Sequence, residues 1–172
     1  MDYKLITKEL QENGYCVIPN ILSEVEIEYA KSEFKKWQET IPDHDIMHNK
    51  IDPHGIYKYH RAGHTRHAWF IRTRPQIQDV FKHIWDTDEL VVSFDGSCYI
   101  SKENDVKDKI WTHTDQSPVN DLFCIQSIIA LTDNIENSLI VYENSHKLHH
   151  QYFIEQNLEN YNKIIIKLIK II

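Results

Sequence analysis

The chain has 172 residues, a length that suits one domain with a buried core of its own. Apolar residues make up 41% and charged residues 26%, the balance of a soluble globular protein, and the net charge is −7. No run of Lys and Arg reverses that charge locally, which argues against nucleic acid or an anionic membrane as a partner. The three cysteines, Cys16, Cys98 and Cys124, are scattered and form no C-x-x-C pair. They read as reduced thiols rather than a disulfide frame or zinc site. The first residues, MDYKLITKELQENGY, lack the apolar core of a signal peptide. The apolar stretch IIIKLIKII at 164–172 is too short and too lysine-punctuated to span a bilayer. The expectation is a cytoplasmic protein.

In chain order, residues 4–12 predict a short helix stopped by Asn13-Gly14, and YCVIP at 15–19 predicts a strand closed by proline. Ser23 and Glu26 form an S-x-x-E capping box. Behind it Ile27, Ala30, Phe34, Trp37 and Ile41 recur at helical spacing, which predicts an amphipathic helix over about 23–40. From 42 to 73 the chain is irregular and histidine-rich, with His44, His48, His54, His60, His64 and His67. Within it HGIYKY (54–59) and HAWFIR (67–72) read as strands. Pro75 opens a helix through Ile77, Val80, Phe81, Ile84 and Trp85.

The second half is β-rich. LVVSFDGSCYI at 90–100 reads as a strand pair or a strand bent at Gly96, and KENDVKD (102–108) as a polar loop. IWTHTD (110–115), LFCIQSIIALT (122–132) and SLIVY (138–142) are further strand candidates, with turns at Gln116-Ser117-Pro118, Asn137-Ser138 and Glu143-Asn144. Helices first and strands later predict an α+β chain built on an antiparallel sheet. The expected organisation is a single domain over 1–172, with a helical part at 1–89, a β-rich core at 90–153 and an atypical tail at 154–172.

His113-Thr114-Asp115 carries the sharpest chemistry. On a strand, residues i and i+2 share a face, so a His and an Asp so spaced can offer a nitrogen and an oxygen to one metal. Such a pair makes two corners of the 2-His-1-carboxylate triad of non-haem iron oxygenases. With 11 His in the chain, chance alone places about one H-x-D tripeptide, so the context decides. The bland alternative is a surface strand with two polar residues. Trp111 shares the face of His113, where it either walls the pocket or, the commoner case for a strand Trp, belongs to the core.

That context is the ordered series I-W-T-H-T-D-Q-S-P, F-C-I-Q-S-I-I-A-L and S-L-I-V-Y-E-N-S-H-K-L-H, preceded by G-Y-C-V-I-P-N-I-L-S-E-V-E-I. Together these resemble the phytanoyl-CoA dioxygenase family of Fe(II)/2-oxoglutarate-dependent oxygenases, over roughly residues 8–153. The resemblance implies N-terminal helices packed on a double-stranded β-helix, the cupin-like jelly roll. It implies Fe(II) and 2-oxoglutarate as cofactors, a small-molecule substrate, and His113 and Asp115 as the first two iron ligands. Gln126 and Ser127 on the following strand, and Tyr99, are the candidates to face the co-substrate.

The third ligand is open. His146 sits in a stretch that in the family belongs to a turn, which makes it a weak candidate; His149 and His150 follow it. The family's later histidine, and the arginine that holds the far carboxylate of 2-oxoglutarate, are not matched, since the last arginine is Arg74. Lysine replaces such a bidentate contact poorly. The jelly roll is therefore expected to be incomplete at its C-terminus, as in a truncated member. Three readings follow: an active oxygenase with an unusual third ligand, a non-catalytic jelly-roll protein, or a histidine-rich module binding metal or a small molecule.

Overall fold

The computed structural model describes residues 1–45, 54–93, 96–101, 112–115, 124–133 and 139–155. Expectations on Trp111, on the loop at 102–108, on the turns at 116–118 and 137–138, and on the tail beyond 155 fall outside the described residues. The chain divides into two compact units, one of Met1–Pro19 with Trp111–Ile172 and the other of Asn20–Ile110. Among the described residues, helices are combined with one small two-stranded sheet, a mixed α+β content. No helix among them is long and apolar enough to cross a membrane.

In the first unit, α1 (Tyr3–Asn13) is capped by Asp2, whose side chain accepts from the Leu5 N–H. Ile6 and Leu10 form its buried stripe, and Gly14 closes it at φ 84°, where a side chain would be strained. Residues 15–18 keep the burial alternation of a strand, with Cys16 and Ile18 buried and Val17 exposed, but pair with no strand among the described residues. Residues 124–132 and 139–142 likewise run outside any ladder among the described residues. Asn144 takes φ 62°, the left-handed region that Asn tolerates. The S-H-K-L-H stretch that follows is helical rather than a turn: it opens helix Ser145–Glu155.

In the second unit, α2 (Glu24–Gln38) starts on the complete capping box. The Ser23 Oγ accepts from the Glu26 N–H at 3.4 Å, and Glu26 Oε2 accepts from the Ser23 N–H at 2.9 Å. Glu24 and Glu26 in the first turn, and Lys35 and Lys36 in the last, complement the helix dipole. Glu26 also accepts from Gln76 Nε2 at 3.1 Å, tying this end to the helix that Pro75 opens. The core is aromatic. Ile41, Tyr57 and Ala62 are buried, with Phe34, Trp37, Tyr59 and Tyr99 packed around them.

The strand expected at 54–59 shortens to β1 (Ile56–Tyr57), paired antiparallel with β2 (Ser97–Cys98) in the register Ile56↔Cys98 and Tyr57↔Ser97. Within 90–100 only β2 forms a ladder among the described residues, and it follows Gly96. HAWFIR, expected as a strand, is helical: α3 (Arg66–Arg72). A strand would bury 67, 69 and 71 together, whereas here His67 is buried, Phe70 and Ile71 are half-buried and Trp69 is 40% exposed. The helix lets Phe70 meet Tyr29 of α2, with ring centroids 4.5 Å apart, and packing against α2 outweighs local β-propensity. Pro75 sits in the first turn of α4 (Pro75–Trp85), which buries Ile77 and Val80.

Ser23→Ala removes the acceptor for the Glu26 N–H and frees the reciprocal contact. The expected cost is about 1 kcal/mol, read as a lower urea midpoint with an unchanged slope. An unchanged midpoint would show that the box does not hold the start of α2.

Candidate functional site

His113 and Asp115 meet. The His113 Nε2 lies 3.3 Å from the Asp115 Oδ1, with side chains 28% and 31% exposed. Two donors each about 2.1–2.2 Å from one ion and about 90–110° apart, octahedral to tetrahedral, stand about 3.0–3.6 Å from one another. The pair therefore fits adjacent corners of one coordination sphere. Cys124 lies within their field: burial raises its thiol pKa first, and the Asp115 carboxylate raises it further.

The residues between and before the pair are held separately. Thr112 Oγ1 is 3.3 Å from the Tyr142 hydroxyl, and Thr114 Oγ1 is 3.3 Å from His149 Nε2. So His113 and Asp115 approach each other while Thr112 and Thr114 engage other partners; of the strand expected at 110–115, residues 112–114 carry no regular secondary structure and Asp115 makes an isolated β-bridge. No third His, Cys, Asp or Glu joins His113 and Asp115 in a metal-holding group among the described residues. His146, the candidate third ligand, is engaged elsewhere. Its Nε2 lies 3.0 Å from the Gln11 carbonyl oxygen, and its ring packs over Gly14. Sequence reasoning missed this role because it depends on where the end of α1 stands, which no local spacing encodes.

Gln126 and Ser127 are half-buried within 124–133. Tyr99 belongs to the other unit, with its ring 5.7 Å from Phe34 and 5.8 Å from His44. The histidine-rich stretch disperses. His44 bonds the Tyr57 hydroxyl and the Asp45 carboxylate, His60 and His64 are exposed, and His48 lies outside the described residues. His67 is buried in the aromatic core, edge-on to Phe34 at 5.0 Å, with its Nε2 2.8 Å from Ser97 Oγ. Burial, then the Arg72 charge, holds its pKa down to about 4 despite the opposing pull of Glu33. It is a neutral core histidine.

A family model described as phytanoyl-CoA dioxygenase matches residues 10–163 of the chain. The chain is also similar to Ava biosynthesis cluster protein O of Aspergillus versicolor, 29% identical over 161 residues. That match covers 86% of this chain and 52% of the relative, so the chain spans about half the length of the curated relative it matches. No solved structure matches it.

The depressed pKa of His67 fixes a sign. The unfolded chain takes up a proton near the ordinary value of 6.5, while the folded chain resists it down to about 4. The stabilisation from a neutral His67 is thus full above 6.5 and is lost as pH falls toward 4. Its ceiling is about 3 kcal/mol, from about 1.4 kcal/mol per pKa unit. Urea midpoints at pH 4.5 and 7.5 should differ less in His67→Gln than in the unaltered protein. An equal pH dependence in both would show that His67 is protonated in the folded state.

Proposed function

The chain belongs to the phytanoyl-CoA dioxygenase family, and on that premise we propose that it is a non-haem iron protein of the 2-oxoglutarate oxygenase type. The observation that carries this reading is the 3.3 Å approach of His113 Nε2 to Asp115 Oδ1 on residues two apart. In this reading the β-rich half builds a double-stranded β-helix, and His113 and Asp115 supply two of the three protein ligands to Fe(II). Bound iron with 2-oxoglutarate would supply the means to use O₂, one oxygen atom going into a C–H bond of a small molecule as hydroxyl and the other into succinate as CO₂ leaves.

The chain's own residues have simpler tasks. His113 offers the Nε2 lone pair and must be neutral to do so. Asp115 offers carboxylate oxygen and cancels part of the ionic charge. One of Gln126 and Ser127, neighbours that face opposite ways on an extended segment, is the proposed polar contact for the co-substrate, since either supplies a donor that a carboxylate accepts.

A second reading is favoured by the same distance. His113 and Asp115 also stand within ion-pair reach of each other, so they can satisfy one another with no metal. Such a half-exposed pair contributes at most about 1 kcal/mol. This is the non-catalytic case.

Asp115→Ala separates the two. If the pair holds iron, anaerobic Fe(II) titration should show at least a tenfold loss of affinity with an unchanged melting temperature. If the unaltered protein and the variant bind Fe(II) equally, or neither binds, the iron assignment is wrong and the ion pair remains.

A further inference from the structure

The helix over Ser145–Glu155, α5, is fastened at its start to the end of α1. The last four carbonyls of a helix have no partner within it, and all four of α1 are taken up here. Leu10 accepts from the Gly14 N–H at 3.1 Å and Asn13 from the Asn144 N–H at 3.1 Å. Gln11 pairs with His146 Nε2 at 3.0 Å, and Glu12 accepts from Lys147 Nζ at 2.5 Å. The fit is close, since a Cβ at Gly14 would lie 2.3 Å from His146 Nδ1.

One turn along α5, His149 is 8% exposed and its Nε2 meets Thr114 Oγ1 at 3.3 Å. Phe153, four residues on, packs edge-to-face on the same imidazole with centroids 5.0 Å apart. A buried imidazole held by a ring on one side has little freedom to swing. Thr114 is the residue between His113 and Asp115, and Tyr142, just before α5, meets Thr112 at 3.3 Å.

We propose that His149 is a positioning residue for the iron ligands: by fixing Thr114 it sets the aim of His113 and Asp115 without touching the metal. The proposal rests on the iron-site reading above. Partners bonded directly to metal ligands are worth about ten- to a hundredfold in metal affinity, and His149 acts one residue removed, through Thr114. A hydrogen bond of 3.3 Å to a hydroxyl is long, which puts the expectation at the low end of that range.

The experiment has a metal-free and a metal-bound arm, both on the full chain. In the metal-free protein, the imidazole nitrogen shifts of His149 report the bond, and Thr114→Val, which keeps shape and removes the hydroxyl, should move them. In anaerobic Fe(II) titrations, Thr114→Val and His149→Ala should each weaken binding about tenfold. The double variant should bind no more weakly than either alone, because both break one contact. His149→Gln, which retains a donor near the same place, should recover most of the loss. Should His149→Ala and Thr114→Val bind iron normally while Asp115→Ala does not, the positioning role falls and the iron site stands. Unmoved nitrogen shifts in Thr114→Val also overturn it. If Asp115→Ala too leaves binding intact, both fall.

Discussion

Everything proposed for the site depends on how the four side chains of 112–115 are shared among their partners. In extended backbone consecutive residues point in opposite directions, so a tetrapeptide can be gripped by one pair of side chains while it presents the other pair. Here Thr112 and Thr114 are gripped, by Tyr142 and His149, and His113 and Asp115 converge to 3.3 Å. A shift of one position would place two hydroxyls where the donors stand. Neither hydroxyl is a useful ligand beside a neutral imidazole and a carboxylate for Fe(II).

Thr114 is met from α5 and Thr112 from Tyr142 just before it, while Asp115 makes an isolated β-bridge. The anchorage of α5 is made where α1 runs out of internal partners. The chain thereby spends His146 and Lys147 on carbonyls and leaves His149 to face Thr114. The second unit follows a different logic, an aromatic core around a fully buried Tyr57, with a neutral His67 inside it. Of its histidines, His44 meets a hydroxyl and a carboxylate and His67 a hydroxyl and aromatic rings.

What could be read in the sequence divides along physical lines. The helices were legible because their signals are local. Ser23 with Glu26, Asn13-Gly14 and Pro75 each act within one turn, and α1, α2 and α4 begin and end at or beside them. The H-x-D pair was legible because two residues determine it. HAWFIR was misread because its β-branched and aromatic residues favour a strand, while contact with α2 decides for a helix. Residues 15–18 show the converse, a correct alternation of buried and exposed side chains without a paired strand among the described residues. The S-H-K-L-H stretch was read as a turn because its helical character comes from the end of α1, more than 130 residues earlier in the chain. Family membership was legible for a different reason. It lies in the order of several short motifs, and a model of the family spans residues 10–163.

The most direct measurement is an anaerobic visible spectrum of the protein with Fe(II), taken before and after 2-oxoglutarate is added. The account predicts a weak charge-transfer band that appears only when both are present and that is missing from His113→Ala. A folded protein that shows no band with both present, or the same band in His113→Ala, would contradict it.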